Sequence, residues 1–549
     1  MTGRIGQGVA GAALLIGVVT VLARFVGFGR YFVQSQTVGN LCLSTAYNTA
    51  NYVPNIVFEL VAGGALAGTV VPLLASAASR SAADPEARAE IGRIASALLT
   101  WVLLVLVPLT LLVAVLARPI MTLLAGDVGD CDVTEVVETG TAMLVVFAPR
   151  MIFFGLAVIL YGLLQAHRRF LGPALAPLVS SLLIVGSYLV FEPVAGGAAR
   201  ELRALNTAGL LALSLGATIA AAAMVLTVIG PVGGLGLRLR PSLSFPPGVA
   251  ARARRLATAG LAVLVAQQIT LTAVVRLANN LGGAGATGIY TYAWALYQLP
   301  FAVLVVPVAT SAFPVLSTRA GDGDRAGFDD LTATSTRVIL LVTGLAAGVM
   351  AAVALPVSRV IVEGTPGGDP AELARAVTLF APGLAGYALM FHLARVLYAC
   401  GRGRSAAVAS VVGWGVALAL QVLLAHAAAD RPQVVGQLAL GSTVGMTAGS
   451  VLLVLAVLRA RGAAALGGMW RCLFAAVAGG LAAYAAGLAV VSAFGEVSKG
   501  MCVVVGLVAA VAGSAAFAAV AAPVDGPDAR MVLERFRRVP VAEGSRSDG

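Results

Sequence analysis

Charge is what this chain has least of. Only 11% of its 549 residues are Asp, Glu, Lys or Arg, where a soluble domain carries about 25%. With 59% hydrophobic residues and a mean hydropathy of +0.95, a globular surface could not be covered with polar groups, so the solvent is lipid. Period-2 alternation is missing from the apolar runs, which excludes a closed barrel and leaves helices. Histidine is nearly absent, with three in all. No CxxC and no His/Cys cluster at ligand spacing occurs, so no metal and no cofactor is expected. A nucleotide-binding glycine loop is missing too, so ATP hydrolysis is not the drive. No nucleophile is paired with a base, which argues against an intramembrane enzyme. Lysine is represented by Lys499 alone. The net charge of +11 does not form a nucleic-acid-binding domain, because the arginines are scattered through short loops between apolar runs.

What is present is a succession of long apolar stretches. We read an all-α integral membrane protein of about fourteen spans, near 9–34, 45–77, 94–117, 139–163, 172–191, 207–230, 256–279, 288–317, 333–355, 373–399, 405–428, 434–458, 472–493 and 500–522. Basic residues in short loops set the orientation. One side holds Arg80, Arg88, Arg93, Arg168, Arg169, Arg238, Arg240, Arg402, Arg404, Arg459 and Arg461 among about 23, and the other about 6, including Arg118, Arg203 and Arg431. Both termini are therefore expected in the cytoplasm of a bacterium whose inner membrane holds the chain. The apolar stretch of the first span runs on through Arg24 and Gly29, so we read it as an uncleaved helix rather than a signal peptide. Cys42 and Cys131 fall in two outer loops, where an oxidising compartment permits a disulfide and two free thiols are the alternative. His392 is intramembrane and is read as a packing residue.

The chain repeats itself weakly. Asn51-Tyr52-Val53-Pro54 followed by Val71-Pro72-Leu73-Leu74 recurs as Tyr297-Gln298-Leu299-Pro300 followed by Phe313-Pro314-Val315-Leu316. Likewise, 163–169 resembles 396–402. An even number of spans separates the copies, so two six-helix lobes in parallel repeat are expected around a central cavity, with substrate at their interface. The domains read as an N-lobe over 1–230, a cytoplasmic linker over 231–254, a C-lobe over 255–460, two further spans within 461–522, and a tail over 523–549.

Seven arginines fall inside spans or near their edges: Arg24, Arg30, Arg150, Arg276, Arg337, Arg375 and Arg395. The last turns of a helix let such side chains snorkel, as expected for Arg337 and Arg375. A central arginine costs about 2.5–3.5 kcal/mol on insertion scales, and Glu59 is the one clear acidic residue deep in a span. The surplus positive charge calls for water or an anion. Arg30 precedes Pro54 by the interval that separates Arg276 from Pro300, so these two are expected at corresponding places, facing each other across the cavity. Asn48, Asn51, Asn55 and Glu59 share one face of the second span, and Gln268, Thr272, Arg276 and Asn280 one face of the seventh. A guanidinium fork suits phosphate or carboxylate, so an anionic head group is the expected ligand.

The stretch Ala23-Arg24-Phe25-Val26-Gly27-Phe28-Gly29-Arg30 is similar to the Arg-x-x-Gly-x-x-Arg of the first helix of the MurJ/MviN family. So are Leu60-Val61-Ala62-Gly63-Gly64-Ala65-Leu66 after Val53-Pro54-Asn55, and Gln165-Ala166-His167-Arg168-Arg169-Phe170 with Pro173 and Pro177. Leu299-Pro300-Phe301 leading to Phe313-Pro314-Val315-Leu316-Ser317 completes the pattern. The chain thus resembles the lipid II flippases of the wider multidrug/oligosaccharidyl-lipid/polysaccharide exporter superfamily. The resemblance implies a carrier that moves an undecaprenyl-pyrophosphate-linked glycopeptide from the inner to the outer leaflet for peptidoglycan synthesis. It also implies a cationic cavity lined by the first, second, seventh and eighth helices, with Arg24 and Arg30 on the family's arginines and cell-wall synthesis proteins as further partners. The chain departs from the pattern at Trp294-Ala295, where members carry Asp-Arg, and at Glu59, where they are basic. Arg276 is read, from spacing alone, as supplying the charge missing at Ala295. The candidate binding set is therefore Arg24, Arg30, Arg276, Asn48, Asn51, Asn55, Glu59 and Gln268. These departures leave open a paralogue for another polyprenyl-linked glycan. A drug/cation antiporter predicts an acidic cavity, and a scaffold for cell-wall enzymes leaves the polar stripes unexplained.

Overall fold

A computed structural model describes residues 2–61, 74, 84–196, 202–245 and 249–524. The Val71-Pro72 pair, most of the 60–66 run, Arg80, Arg200 and the tail beyond 524 lie outside the described residues. Among the described residues eleven helices are long and apolar enough to cross a membrane, or twelve when Pro370–Phe380 and Gly383–Ala399, bent by 44° against each other, are taken as one broken span. The other two expected spans are also helical, as α1 (Thr2–Thr37) and α2 (Cys42–Leu60). Their described parts are the more polar ones: α1 carries Arg24, Arg30, Gln34 and Gln36, and α2 three asparagines and Glu59.

The chain divides into two compact units. The first comprises residues 1–296, 361–373 and 418–441. In it follow α3 (Pro85–Val115), α4 (Ala117–Ala125), α5 (Val133–Phe147), α6 (Arg150–Ala166), α7 (Leu171–Ala195), α8 (Thr207–Gly233), α9 (Val249–Leu277) and the start of α10 (Ala286–Pro300). Helix α1 lies along α7, α2 on α5, α3 on α6, and α8 against both α6 and α7. Two apolar clusters fill this bundle. One gathers Tyr47, Met121, Phe147, Tyr188 and Phe191, the other Ile91, Phe154, Leu163 and Val228. Along α7 the first takes Ile184 and the second Ala176, with the buried Ser180 and Ser181 between them. Asn51, Asn55 and Arg150 sit at the same junction on α2 and α6, so a polar layer separates two greasy ones.

The second unit comprises 297–360, 374–417 and 442–549. It contains α11 (Val306–Gly321), α12 (Arg325–Ala352), most of α13 (Ala354–Val362), α14 (Pro370–Phe380) and α15 (Gly383–Ala399), parts of α16 (Gly403–His426) and α17 (Arg431–Arg461), then α18 (Met469–Phe494) and α19 (Lys499–Val524). Helices α12 and α18 approach almost to backbone contact. A Cβ on Gly344 would stand 2.7 Å from the Ala476 carbonyl, and one on Gly348 would stand 2.3 Å from that of Gly480. Small residues at such spacing are how helices associate in lipid, where no hydrophobic effect drives them together. His392 is fully buried and its Nε2 lies 3.0 Å from Ser335 Oγ, a hydrogen-bonded packing role.

One structural motif occurs once in each unit. Phe147-Ala148-Pro149 and Phe380-Ala381-Pro382 stand at the offset that relates 163–169 to 396–402, and both break a helix. Proline has no N–H, so it frees a carbonyl in the preceding turn. Thr218 Oγ1 donates to Val146 O at 2.8 Å in the first unit. Thr443 Oγ1 donates to Leu379 O at 2.7 Å in the second. A threonine on a neighbouring helix thus answers each break, as membrane helices require.

Candidate functional site

All eight candidate residues fall in the first unit. Arg30, on α1, donates from Nη2 to Tyr31 Oη at 3.0 Å and stacks over that ring at 4.9 Å. Beside it runs a chain of hydrogen bonds that no carboxylate enters. Tyr47 and Tyr188 share one at 3.0 Å, Tyr188 reaches Gln34 Oε1 at 3.3 Å, and Gln34 donates to Asn48 Oδ1 at 3.0 Å. Asn48 in turn donates to Ser44 O at 2.9 Å. Asn48 is therefore engaged within the bundle. Arg24 and Glu59 are exposed side chains.

Asn51 and Asn55 meet Arg150, one of the seven arginines within or beside the spans but not one of the eight candidates. Arg150 Nη1 donates to Asn51 Oδ1, and Nη2 reaches Asn55 Oδ1 at 3.5 Å. The guanidinium lies between the rings of Phe147 and Phe154, at 5.2 and 5.3 Å. Its residue is only 5% exposed, and it stands within electrostatic reach of Arg30, Tyr47 and Tyr188. Among the described residues no carboxylate pairs with Arg30 or Arg150. The asparagine face is thus first an arginine seat.

Arg276 goes elsewhere. Its guanidinium occupies the space that a side chain at Gly126 would fill, 2.2 Å from where that Cβ would stand, and Nη1 has no hydrogen-bond partner. The structure brings Arg30 together with Arg150, and no contact among the described residues joins Arg30 to Arg276. The end of α9 widens into a π turn over Ala278–Gly282, and Arg276, just before it, lies against the segment after α4 at Gly126. Of the other α9 positions, Thr272 donates back to Gln268 O at 2.7 Å. Gln268 is buried with Nε2 unpartnered, and Asn280 Oδ1 accepts from Asp127 N at 3.0 Å.

Around Arg276 the end of this unit that bears the Cys42–Cys131 bridge is cross-linked. Asn279 donates to Thr49 Oγ1 and to Leu124 O, both at 3.0 Å, and accepts from Thr287. Gly285 N donates to Thr45 Oγ1 at 2.8 Å. Asn40 binds Pro366 O through its backbone and Thr365 Oγ1 through its amide, each at 2.8 Å. Arg431 pairs with Asp130 at 3.4 Å. Cys42 and Cys131 are bonded as a disulfide, with Cα atoms 5.7 Å apart. Next to the bridge, Arg203 clamps Asp132 at 3.2 Å and also Glu135. The backbone N–H of Thr134, with the Arg203 guanidinium, holds the Asp132 carboxyl below the usual carboxylate range.

The arrangement is a helical bundle that holds two guanidinium groups, Arg30 and Arg150, with no carboxylate paired to either among the described residues, and an end cross-linked by Asn279, Asn40 and the Cys42–Cys131 bridge. A family model for the lipid II flippase MurJ matches residues 34–510. A lipid II flippase MurJ of Burkholderia cenocepacia is 25% identical over 392 residues, covering 71% of this chain and 73% of that one. A solved structure of lipid II flippase MurJ in an inward closed conformation superposes with a TM-score of 0.69 at 17% identity, covering 92% of this chain and 99% of the other. An inward-facing multidrug resistance transporter of the multidrug and toxin extrusion type gives 0.63 at 12% identity, over 81% and 95%. These two share the fold. With a family model covering most of its length, this chain belongs to the lipid II flippase MurJ family, and it is a multi-pass membrane transporter rather than an enzyme.

Proposed function

We propose that the chain carries lipid II, an undecaprenyl-pyrophosphate-linked glycopeptide, from the inner to the outer leaflet of the bacterial cytoplasmic membrane by alternating access of its two lobes. The observation that carries this reading is Arg30: a guanidinium inside the bundle whose neighbours are the phenols of Tyr31, Tyr47 and Tyr188, with no carboxylate paired to it among the described residues. Such a cation is costly in lipid and is offset by an anion that it can hold through a planar fork. Arg24 and Arg30 receive the diphosphate, and Arg276 adds positive charge toward the outer end. Asn48, Asn51, Asn55, Glu59 and Gln268 supply the polar faces along which sugar and peptide pass, while the prenyl tail stays in the bilayer. Both termini face the cytoplasm, following the arginine bias of the short loops, and the Cys42–Cys131 pair faces the oxidising side. The N-lobe spans 1–230 and the C-lobe 255–460, joined by the 231–254 linker.

The test is genetic and chemical together. Arg30→Ala and Arg276→Ala are introduced into a strain depleted of its own flippase, with protein abundance followed in the membrane. Loss of rescue by Arg30→Ala at wild-type abundance is expected. Full rescue by both variants would remove the anion-site argument. Trp294-Ala295 in place of the Asp-Arg pair of other members supports a second reading, in which another polyprenyl-linked glycan is the cargo. Native mass spectrometry of the purified protein separates the two by the mass of the retained lipid.

A further inference from the structure

We infer that Arg150 is a second guanidinium of the diphosphate site, seated by Asn51 and Asn55, and that it is a charge built into one half of the repeat only. The inference rests on the diphosphate-linked cargo proposed above. The two proline breaks make the halves comparable position by position. Arg150 follows Pro149 as Gly383 follows Pro382, and Phe147 and Phe154 correspond to Phe380 and Tyr387 at the same offset. Asn51 and Asn55 correspond to Tyr297 and Phe301 through Pro54 and Pro300. In the second copy this crossing is aromatic throughout. Tyr297 packs on Phe380 at 5.1 Å and on Tyr387 at 6.1 Å, Phe301 on Tyr387 at 4.5 Å, and Tyr297 Oη donates to Gly383 O at 3.0 Å. Aromatic side chains and a glycine therefore suffice to join these helices.

In the first copy the same crossing holds an arginine between two phenyl rings, with two amides in place of the rings of Tyr297 and Phe301. That exchange replaces favourable burial with a desolvated cation, so packing does not explain it. Three further observations point to a ligand. Arg150 is 95% buried, and its Nε–H has no partner. It lies within electrostatic reach of Arg30. Neither guanidinium pairs with a carboxylate among the described residues. Two like charges in a low-dielectric layer repel, and an anion beside both turns that repulsion into binding. Phosphate oxygens fit because a guanidinium meets them with directed N–H donors. Asn51 and Asn55 are positioning residues, since their carbonyl oxygens occupy the Nη donors and leave Nε–H free.

The experiment uses the full-length protein in lipid nanodiscs, with undecaprenyl pyrophosphate as the probe and inorganic pyrophosphate as the competitor. Three variants are compared: Arg150→Met, Arg150→Lys, and the triple exchange Asn51→Tyr, Asn55→Phe, Arg150→Gly, which copies the second crossing into the first. Arg150→Met and the triple exchange are expected to weaken probe binding at least tenfold while the unfolding temperature holds or rises. Arg150→Lys should keep part of the affinity. Competition by inorganic pyrophosphate that the triple exchange abolishes would show that the head group alone is recognised. Competition that fails, with probe binding still lost in the variants, would show that the lipid-borne diphosphate is required. Binding within twofold of wild type in Arg150→Met overturns the inference, as does failure of both Arg150→Met and the triple exchange to fold. A wild-type protein that binds no undecaprenyl pyrophosphate would instead sink the cargo reading itself.

Discussion

Replacing Asn279 by alanine should loosen the end of the first unit that bears the Cys42–Cys131 bridge. The side chain is fully buried and makes three hydrogen bonds that tie the end of α9 to α2, to α4 and to α10 through Thr49, Leu124 and Thr287. Interhelical hydrogen bonds in membrane bundles average about 0.6 kcal/mol and reach about 1.7 kcal/mol, so three of them contribute roughly 2–5 kcal/mol. Alanine removes all three and leaves Leu124 O without its amide donor, which places the loss toward the upper half of that range. Even about 2 kcal/mol changes a two-state ratio by roughly thirtyfold. The loss falls on this closely bonded arrangement, because Asn279 bonds to three neighbouring helices at once. Ser44, fully buried beside Asn48, is the reporter position. In a background with Cys400, Cys472 and Cys502 changed to serine, Ser44→Cys should react slowly with a charged thiol reagent applied from outside. Adding Asn279→Ala should speed labelling at least tenfold. Unchanged labelling, with the unfolding temperature also unchanged, would show that the network is ornamental and refute the reasoning.

Gly348→Ala should destabilise the second unit by about 1–3 kcal/mol, the usual cost of overpacking, because the new Cβ meets the Gly480 carbonyl at 2.3 Å and backbone cannot step aside; thermal unfolding in detergent measures it. Thr443→Val keeps the shape but leaves Leu379 O without the hydroxyl donor that answers the Pro382 break, so a loss of about 0.5–1.5 kcal/mol is expected from the same assay. The outer clamp has a pH signature. Asp132 is held below its ordinary carboxylate range in the folded protein, so its contribution is present above the unfolded value, near 3.9, and is lost as pH falls through the lower folded value. The difference in unfolding temperature between wild type and Arg203→Ala should therefore persist at pH 5 and fade below about pH 3.5. A difference that vanishes already at pH 5 would remove Asp132 from the clamp.

The spans were legible because lipid imposes a blunt rule: about 20 apolar residues per crossing, with every backbone group satisfied inside. The first two helices were legible by the same rule, as apolar stretches that run on through Arg24 and Arg30 on α1 and the asparagines on α2. The polar faces were readable as well. Their partners were not. Spacing along a helix tells which residues share a side, not which neighbour that side meets, and Asn51 with Asn55 met Arg150 across two helices. The signal was present in the alignment of the halves, where Phe-Ala-Pro is followed by arginine in one copy and glycine in the other. Arg276 was unreadable for a different reason: a π turn at Ala278–Gly282 stands between it and Pro300, so equal spacing from a proline does not fix a side chain's heading.

That contrast between the copies decides where a fixed charge can be tolerated at all. Both halves share the proline break and the threonine that satisfies the freed carbonyl, so their backbone frames pose the same problem. In the second half, Gly383 lies so close to α17 that a Cβ there would stand 2.6 Å from Thr443 Oγ1 and 2.9 Å from Thr443 Cα. No side chain of any kind fits, and aromatic rings from α10, α14 and α15 close the remaining space. In the first half, the position after proline has room for a guanidinium, two amides to hold it and two rings to face it. At this one crossing the duplicated scaffold is packed shut in one half and holds a guanidinium in the other, so the two copies are not chemically equivalent there.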